Sequence, residues 1–170
     1  MKELQSRFFH TCLALKKLHI SSILPGINVG DLTTLKTLKH LEQKRIQDEA
    51  DADGKGVAVS EIVSELKVPA PAVSRSLRSL EEKDYVLRYV NKKDRRNTCV
   101  ELTGQGEAIR EESMEIMSDL GEAVFRQMGE EDMERLLSYF EKLQNVAKEE
   151  IEKRKYHKKG KDPVNREEDI

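Results

Sequence analysis

The stretch from Ser60 to Gly106 constrains the fold of this chain more than any other, because it reads as helix, turn, helix and then a basic hairpin. Ser60–Leu66 forms one short helix, and Pro69 or Ala70 opens a second that is expected to run to about Asp84. On the second helix Val73, Leu77 and Leu80 recur at i, i+4 and i+7, so they share one buried face. The opposite face carries Ala72, Ser74, Arg75, Arg78 and Ser79, side chains small or polar enough to enter a major groove. Tyr85–Val90 then reads as a strand, Asn91–Asn97 as a hairpin tip and Thr98–Leu102 as the returning strand. Two helices followed by a basic hairpin suit one task above others, holding duplex DNA.

The rest of the chain is built differently. With 170 residues, 36% of them charged, 5% aromatic and no Trp, its composition favours a small domain carried on long, exposed, salt-bridged helices. The formal charge of -2 hides an asymmetry. Between Glu65 and Val100 the cations Lys67, Arg75, Arg78, Lys83, Arg88, Lys92, Lys93, Arg95 and Arg96 outnumber the anions, whereas from Glu107 to Glu152 acidic residues dominate. Positive potential is thus confined to the middle module. No apolar run is long enough for a signal peptide or a membrane span, so a cytoplasmic protein without membrane partners is expected.

Leu4–Leu24 reads as a helix that is apolar over a broad arc (Leu4, Phe8, Phe9, Cys12, Leu13, Leu15, Ile20), and such an arc must be covered on two sides. Pro25-Gly26 ends it. Asp31 is the expected N-cap of a second helix facing inward through Leu32, Leu35, Leu38, Leu41 and Ile46. Thr103 caps a long helix from about Gly104 to Met128, with Ile109, Ile116, Met117, Leu120, Val124 and Phe125 inward. Gly129 stops it, and Glu130-Glu131-Asp132 start a last helix bearing Met133, Leu136, Leu137, Phe140, Leu143, Ala147 and Ile151 at spacings of three and four. So much apolar surface on two long helices calls for a second copy of the chain. The expected division is an N-terminal dimerisation helix over 1–30, a DNA-binding winged module over 31–103, dimerisation helices over 104–156 and a charged, disordered tail over 157–170.

The hairpin tip Lys92-Lys93-Asp94-Arg95-Arg96-Asn97 and the following Leu102-Thr103-Gly104-Gln105-Gly106 resemble the MarR family of dimeric winged-helix transcriptional regulators. That family carries Asp-x-Arg in its wing, matched by Asp94 and Arg96, and Leu-Thr-x-x-Gly at the next helix start, matched by Leu102, Thr103 and Gly106. The resemblance runs from about Leu4 to Ile151. It implies a recognition helix in the major groove, a wing arginine in the minor groove and terminal helices that form the dimer. An arginine at a hairpin tip suits the negative potential of a narrow minor groove, with Asp94 holding its guanidinium, while Lys92, Lys93 and Arg95 meet phosphates. Three positions depart from the family pattern: Lys67 and Asp84 stand where Gly is usual, and Pro69 where Ser often opens the recognition helix. Pro69 and Pro71 also remove two amides that could have bound phosphate.

Other motifs carry less. Asp51-Ala52-Asp53-Gly54-Lys55-Gly56 imitates the start of a calcium loop, but Lys55 and Ile62 stand where ligands are required. Cys12 lies on the helix where some MarR relatives sense peroxide. Its apolar neighbours and the lack of accompanying tyrosines favour a buried structural thiol, and Cys99 reads as a half-exposed strand residue. The histidines show no i, i+4 pair, the cysteines no metal-ligand spacing, and nothing resembles a catalytic triad or phosphate loop, so neither a cofactor, a metal nor an enzymatic activity is expected.

The reading that results is a mainly α winged helix-turn-helix with a small two- or three-stranded β-wing, flanked by N- and C-terminal dimerisation helices. It would act as a homodimer on a pseudo-palindromic double-stranded DNA operator, as a repressor released by a small aromatic or lipophilic effector or another signal. The expected DNA-binding residues are Ala72, Ser74, Arg75, Arg78, Lys92, Lys93, Asp94, Arg95 and Arg96. The alternatives are a winged-helix assembly module without sequence-specific DNA binding, and a redox-switched regulator using Cys12.

Overall fold

The computed structural model describes residues 1–47, 56–91 and 97–159. Two compact units divide the chain, Met1–Ser118 and Asp119 onward, with the boundary inside one helix. The first unit contains α1 (Lys2–Lys16), a short 3-10 turn (Ile20–Ile23), α2 (Val29–Gln47), β1 (Val57–Ala58), α3 (Val59–Leu66), α4 (Ala70–Glu81), β2 (Val86–Val90), β3 (Thr98–Leu102) and the first part of α5 (Gly104–Met128). The second contains the rest of α5 and α6 (Glu130–Lys159).

The apolar ridges expected of α2 and α4 meet in the core of the first unit. Leu32, Leu35 and Leu38 of α2 and Val73, Leu77 and Leu80 of α4 are buried together with Ile62, Val57, Val86 and Val100. Each such side chain contributes on the order of 1.5–3 kcal/mol when fully withdrawn from water. The hairpin β2–β3 pairs Val86 with Leu102 and Val90 with Thr98, and a third strand, β1, adds to β3 through Val57 opposite Val100. The sheet order is therefore β1-β3-β2, which realises the three-stranded form of the wing.

Several boundaries differ from expectation for local reasons. The first helix ends at Lys16 rather than Leu24, because the Lys17 amide is shared between Leu13 and Ala14 carbonyls and the Ser22 hydroxyl bonds the His19 carbonyl at 2.6 Å, stabilising a turn instead of helix. The cap of α2 is Asn28 and not Asp31: Asn28 Oδ1 accepts the Asp31 N–H at 2.9 Å, which places Asp31 in the first turn. Ile46 is exposed near the end of α2, beyond the elements that cover Leu38. Helix α4 closes at Glu81 rather than about Asp84, and α6 extends to Lys159, past the expected end at residue 156.

Leu-Thr-x-x-Gly has a direct physical meaning here. The Thr103 hydroxyl donates to the Asp84 carbonyl at 2.6 Å and accepts the Gly106 N–H at 2.9 Å, so one side chain both caps α5 and ties it to the turn before β2. The Thr103 N–H donates to the Tyr85 carbonyl at 3.2 Å. Gly106 is buried against that same carbonyl, and a Cβ there would lie 1.9 Å from the Tyr85 oxygen. Asp84 reaches this joint in a left-handed conformation, φ 58°, which a short polar side chain tolerates.

Gly106→Ala is expected to destabilise the protein by about 3 kcal/mol or more, since backbone rather than a flexible side chain must yield. Gly104, where an added Cβ meets nothing within 4 Å, is the control: Gly104→Ala should be neutral or slightly stabilising. Urea denaturation of both variants at one protein concentration checks the contrast.

Candidate nucleic-acid interface

The turn into α4 bends at Lys67, whose φ of 53° is left-handed and explains why Gly is usual at this point in the MarR family. Pro69 then precedes α4, and the Ala72 N–H returns to the Pro69 carbonyl at 2.8 Å, so the missing amide of Pro71 leaves no intrahelical bond unmade. With Val73, Leu77 and Leu80 buried, the other side of α4 presents Pro71, Ser74, Arg75 and Arg78 to solvent. Pro71 joins this ridge at helical spacing, so beyond lacking a donor it adds an apolar surface there.

Two residues assigned to the free face lie elsewhere. Ser79 donates to Asp31 Oδ2 at 2.9 Å and is held against α2 instead of facing a groove. Ala72 is half-buried at the rim of an open pocket of about 540 Å³ that is also lined by Asp31, Thr34, Val68, Arg75 and Ser76. The 100° helical step puts positions 72, 76 and 79 on the flank of the buried ridge, a signal present in the sequence but masked by their small, polar character.

The wing is anchored to the helices from both sides. Arg88 on β2 pairs with Glu81 of α4 at 3.3 Å. Arg45 of α2 donates to the Gly56 carbonyl at 2.5 Å and to Glu61 at 2.7 Å, while Glu61 accepts the Ala58 N–H at 2.9 Å. Glu42 of α2 accepts the Leu102 N–H at 3.1 Å. Burial raises its carboxyl above the ordinary range, and that bond only partly offsets the effect. Glu107 is held below its usual range by Arg110, which binds it through two nitrogens, with Lys39 adding a bridge at 2.7 Å. The hairpin narrows at Asn91, whose N–H donates to the Asn97 carbonyl at 2.9 Å. Lys92, Lys93, Asp94, Arg95 and Arg96 lie outside the described residues, as do Asp51–Lys55 of the acidic loop and the tail from Gly160.

Both cysteines are placed differently from expectation. Cys99 is buried, because β1 pairs with β3 and Tyr89 lies opposite on β2, covering the face that a two-strand hairpin would leave open. The Tyr89 hydroxyl donates to Glu101 at 2.5 Å, and burial together with that carboxylate pushes the phenol up to about 12. Cys12 is exposed on the single chain, since α1 buries no residue at all. Among the described residues no three His, Cys, Asp or Glu side chains gather as a metal site. No helix among them is long and apolar enough to cross a membrane.

Residues 50–97, which include β1, α3, α4 and β2 and stop before β3, match the model of the MarR family. Over this segment the chain is similar to the MarR-family winged helix. That family consists of transcription regulators and not of enzymes. No curated protein sequence matches the chain. Among solved structures, the S. aureus MepR–DNA complex is similar at 22% identity and a TM-score of 0.60, over 86% of this chain and 98% of that one. A cysteine-to-serine mutant of E. coli MarR complexed with operator DNA is similar at 21% identity and a TM-score of 0.59, over 81% and 91% of the two chains. The reduced form of E. coli MarR gives 22%, 0.59, 81% and 94%. The likeness is one of fold, and it takes in the flanking helices as well as the winged module.

Because the folded-state pKa of Glu42 is raised, its neutral form is favoured by folding. The associated stability is present below the unfolded carboxyl range and is lost as pH rises through the folded value. Glu42→Gln keeps an acceptor for Leu102 and removes the charged form. It should raise the melting temperature by about 1–3 °C at pH 7 and give no gain near pH 3.5, as differential scanning calorimetry would show.

Proposed function

We propose that this chain is a dimeric, sequence-specific DNA-binding transcription regulator of the cytoplasm, acting as a repressor that a small-molecule or other signal releases. The observation that carries the reading is the free ridge of α4, where Ser74, Arg75 and Arg78 are solvent-exposed while the opposite ridge is locked into the core. Guanidinium groups on such a ridge can bond guanine edges in a major groove. Ala72, half-buried on the flank of α4, offers a groove only its methyl group.

The wing completes the interface. Lys92, Lys93 and Arg95 would neutralise phosphates, and Arg96, oriented by Asp94, would enter the minor groove beside the recognition helix. The MarR-family match includes Lys92–Arg96, and the similar MepR and MarR structures hold DNA, which supports the assignment.

Dimerisation is supported by apolar surface with no cover on the single chain. On α1, Leu4, Phe9, Leu13 and Leu15 are each more than half exposed. In the second unit Phe125, Leu137, Val146 and Ile151 are likewise open. Stripes of this extent on a monomer mark an association surface. In a two-fold homodimer they would cover one another and set two copies of α4 about 34 Å apart, reading half-sites one helical turn apart. A small aromatic or lipophilic effector would act by altering that spacing, binding one spacing better than the other.

Random duplex DNA passed over the purified protein should yield an enriched pseudo-palindrome; an assembly module would enrich none. On the recovered site, Arg75→Ala and Arg78→Ala should each weaken binding by about 1–3 kcal/mol and relax base preference. Arg96→Ala should weaken binding and lower the salt slope by about one counterion per half-site. Fluorescence titrations at several salt concentrations report both quantities, and unchanged values for Arg96→Ala would reject the wing assignment.

The exposure of Cys12 favours examining a redox-switched variant of this function. In that case mild peroxide abolishes DNA binding and Cys12→Ser prevents the loss. Covered thiols in the dimer would instead leave binding unchanged by peroxide.

A further inference from the structure

Resting on the reading that α4 enters a major groove, we propose that Asp31, acting through Ser76 and Ser79, fixes the rotation of α4 about its own axis and so determines the sequence specificity of the interface without touching DNA. Asp31 is 3% exposed. Its Oδ1 accepts the Ser76 hydroxyl at 2.7 Å and its Oδ2 accepts the Ser79 hydroxyl at 2.9 Å, across 45 and 48 residues of sequence. Asn28 Nδ2 donates to the same Oδ2 at 2.8 Å, and Thr34 Oγ1 lies 2.9 Å from Ser76 Oγ. A buried carboxylate is thus satisfied almost wholly by two consecutive turns of one flank of α4 and by its own cap.

Such a constraint is needed because the apolar contacts of α4 are not directional. Val73, Leu77 and Leu80 form a single stripe, which resists withdrawal from the core more than rolling within it. On the Asp31 side the packing is open, with the 540 Å³ pocket running along Ala72, Arg75, Ser76 and Ser79, so close contact there does not stop a roll. Charge-assisted hydrogen bonds do, since they weaken steeply with misalignment. A roll of about 20° carries a side-chain tip at the roughly 5–6 Å outer radius of a helix through about 2 Å. That displacement breaks a bidentate contact to a base edge but leaves a lysine free to find another phosphate oxygen.

The test compares the ratio of affinities for the enriched site and a shuffled duplex, with the salt slope on each, in the full-length protein. Ser76→Ala with Ser79→Ala is expected to lower the ratio about tenfold, leaving the affinity for shuffled DNA and the salt slope unchanged. Should the stranded carboxylate unfold this variant, Asp31→Leu with both serine substitutions makes the whole set apolar, and the folded protein should show the same loss of ratio. Leu38→Val, a core change in α2 that touches none of these hydrogen bonds, serves as the control: it should lower thermal stability and keep the ratio. The inference is overturned if the folded variants retain the parent ratio, or if Leu38→Val loses it equally. A parent protein that enriches no site defeats the groove reading itself, and the inference falls with it.

Discussion

The rest of the first unit depends on one joint, where the start of α5 crosses the turn between α4 and β2. Thr103 donates to the Asp84 carbonyl, Gly106 lies against the Tyr85 carbonyl, and the Tyr85 N–H returns to Leu80 at 2.9 Å. The end of the recognition helix, the start of the wing and the start of the long helix are thereby fixed to one another by backbone atoms. Backbone contacts of this kind leave few rotamers to order, so they define the geometry more sharply than side-chain packing alone. It follows that the C-terminal end of α4, the start of β2 and the start of α5 keep one relative placement at this point.

Polar groups inside this unit serve orientation more than adhesion. The core stripe of Val73, Leu77 and Leu80 supplies the apolar stabilisation. Asp31, Glu42 and Arg45 each reach from α2 to a specific hydroxyl, amide or carbonyl on α4, β3 or the chain entering β1. Asp31 is buried, while Glu42 and Arg45 are partly exposed, and polar groups so placed contribute little net stability compared with apolar replacements; their value lies in excluding other arrangements. For the proposed contact of α4 with DNA, where displacement of a side chain by about 1–2 Å changes which base edge it meets, that exclusion matters more than a gain in folding energy.

Much of this was legible in the residues. The period of Val73, Leu77 and Leu80 placed the recognition helix and its buried face, alternation placed β3 over Thr98–Leu102 to the residue, and Thr103 was identified as the cap of α5. The Asp-x-Arg and Leu-Thr-x-x-Gly elements carry the resemblance to the MarR family, whose model matches residues 50–97. Less legible were features that depend on a distant partner. Ser79 was assigned to the groove because a serine on a helix gives no sign of which neighbour will accept its proton. Asp31 was taken for a cap because an acidic residue early in a helix fits that role locally, and Asn28 fills it instead. Cys99 was expected to be half-exposed because Val57 and Ala58 are too short a run to announce a third strand.

Sequence alone therefore determined the longer helices, the two hairpin strands, their order, the charge asymmetry and the ridge of α4 left free, since helical and strand periods and cap chemistry act within a few residues. Tertiary structure decided which polar residues on that helix are free and which are committed, through bonds spanning more than forty residues that no local pattern encodes. It also gave the motif glycine its reason, because a carbonyl oxygen occupies the space that any Cβ at Gly106 would need.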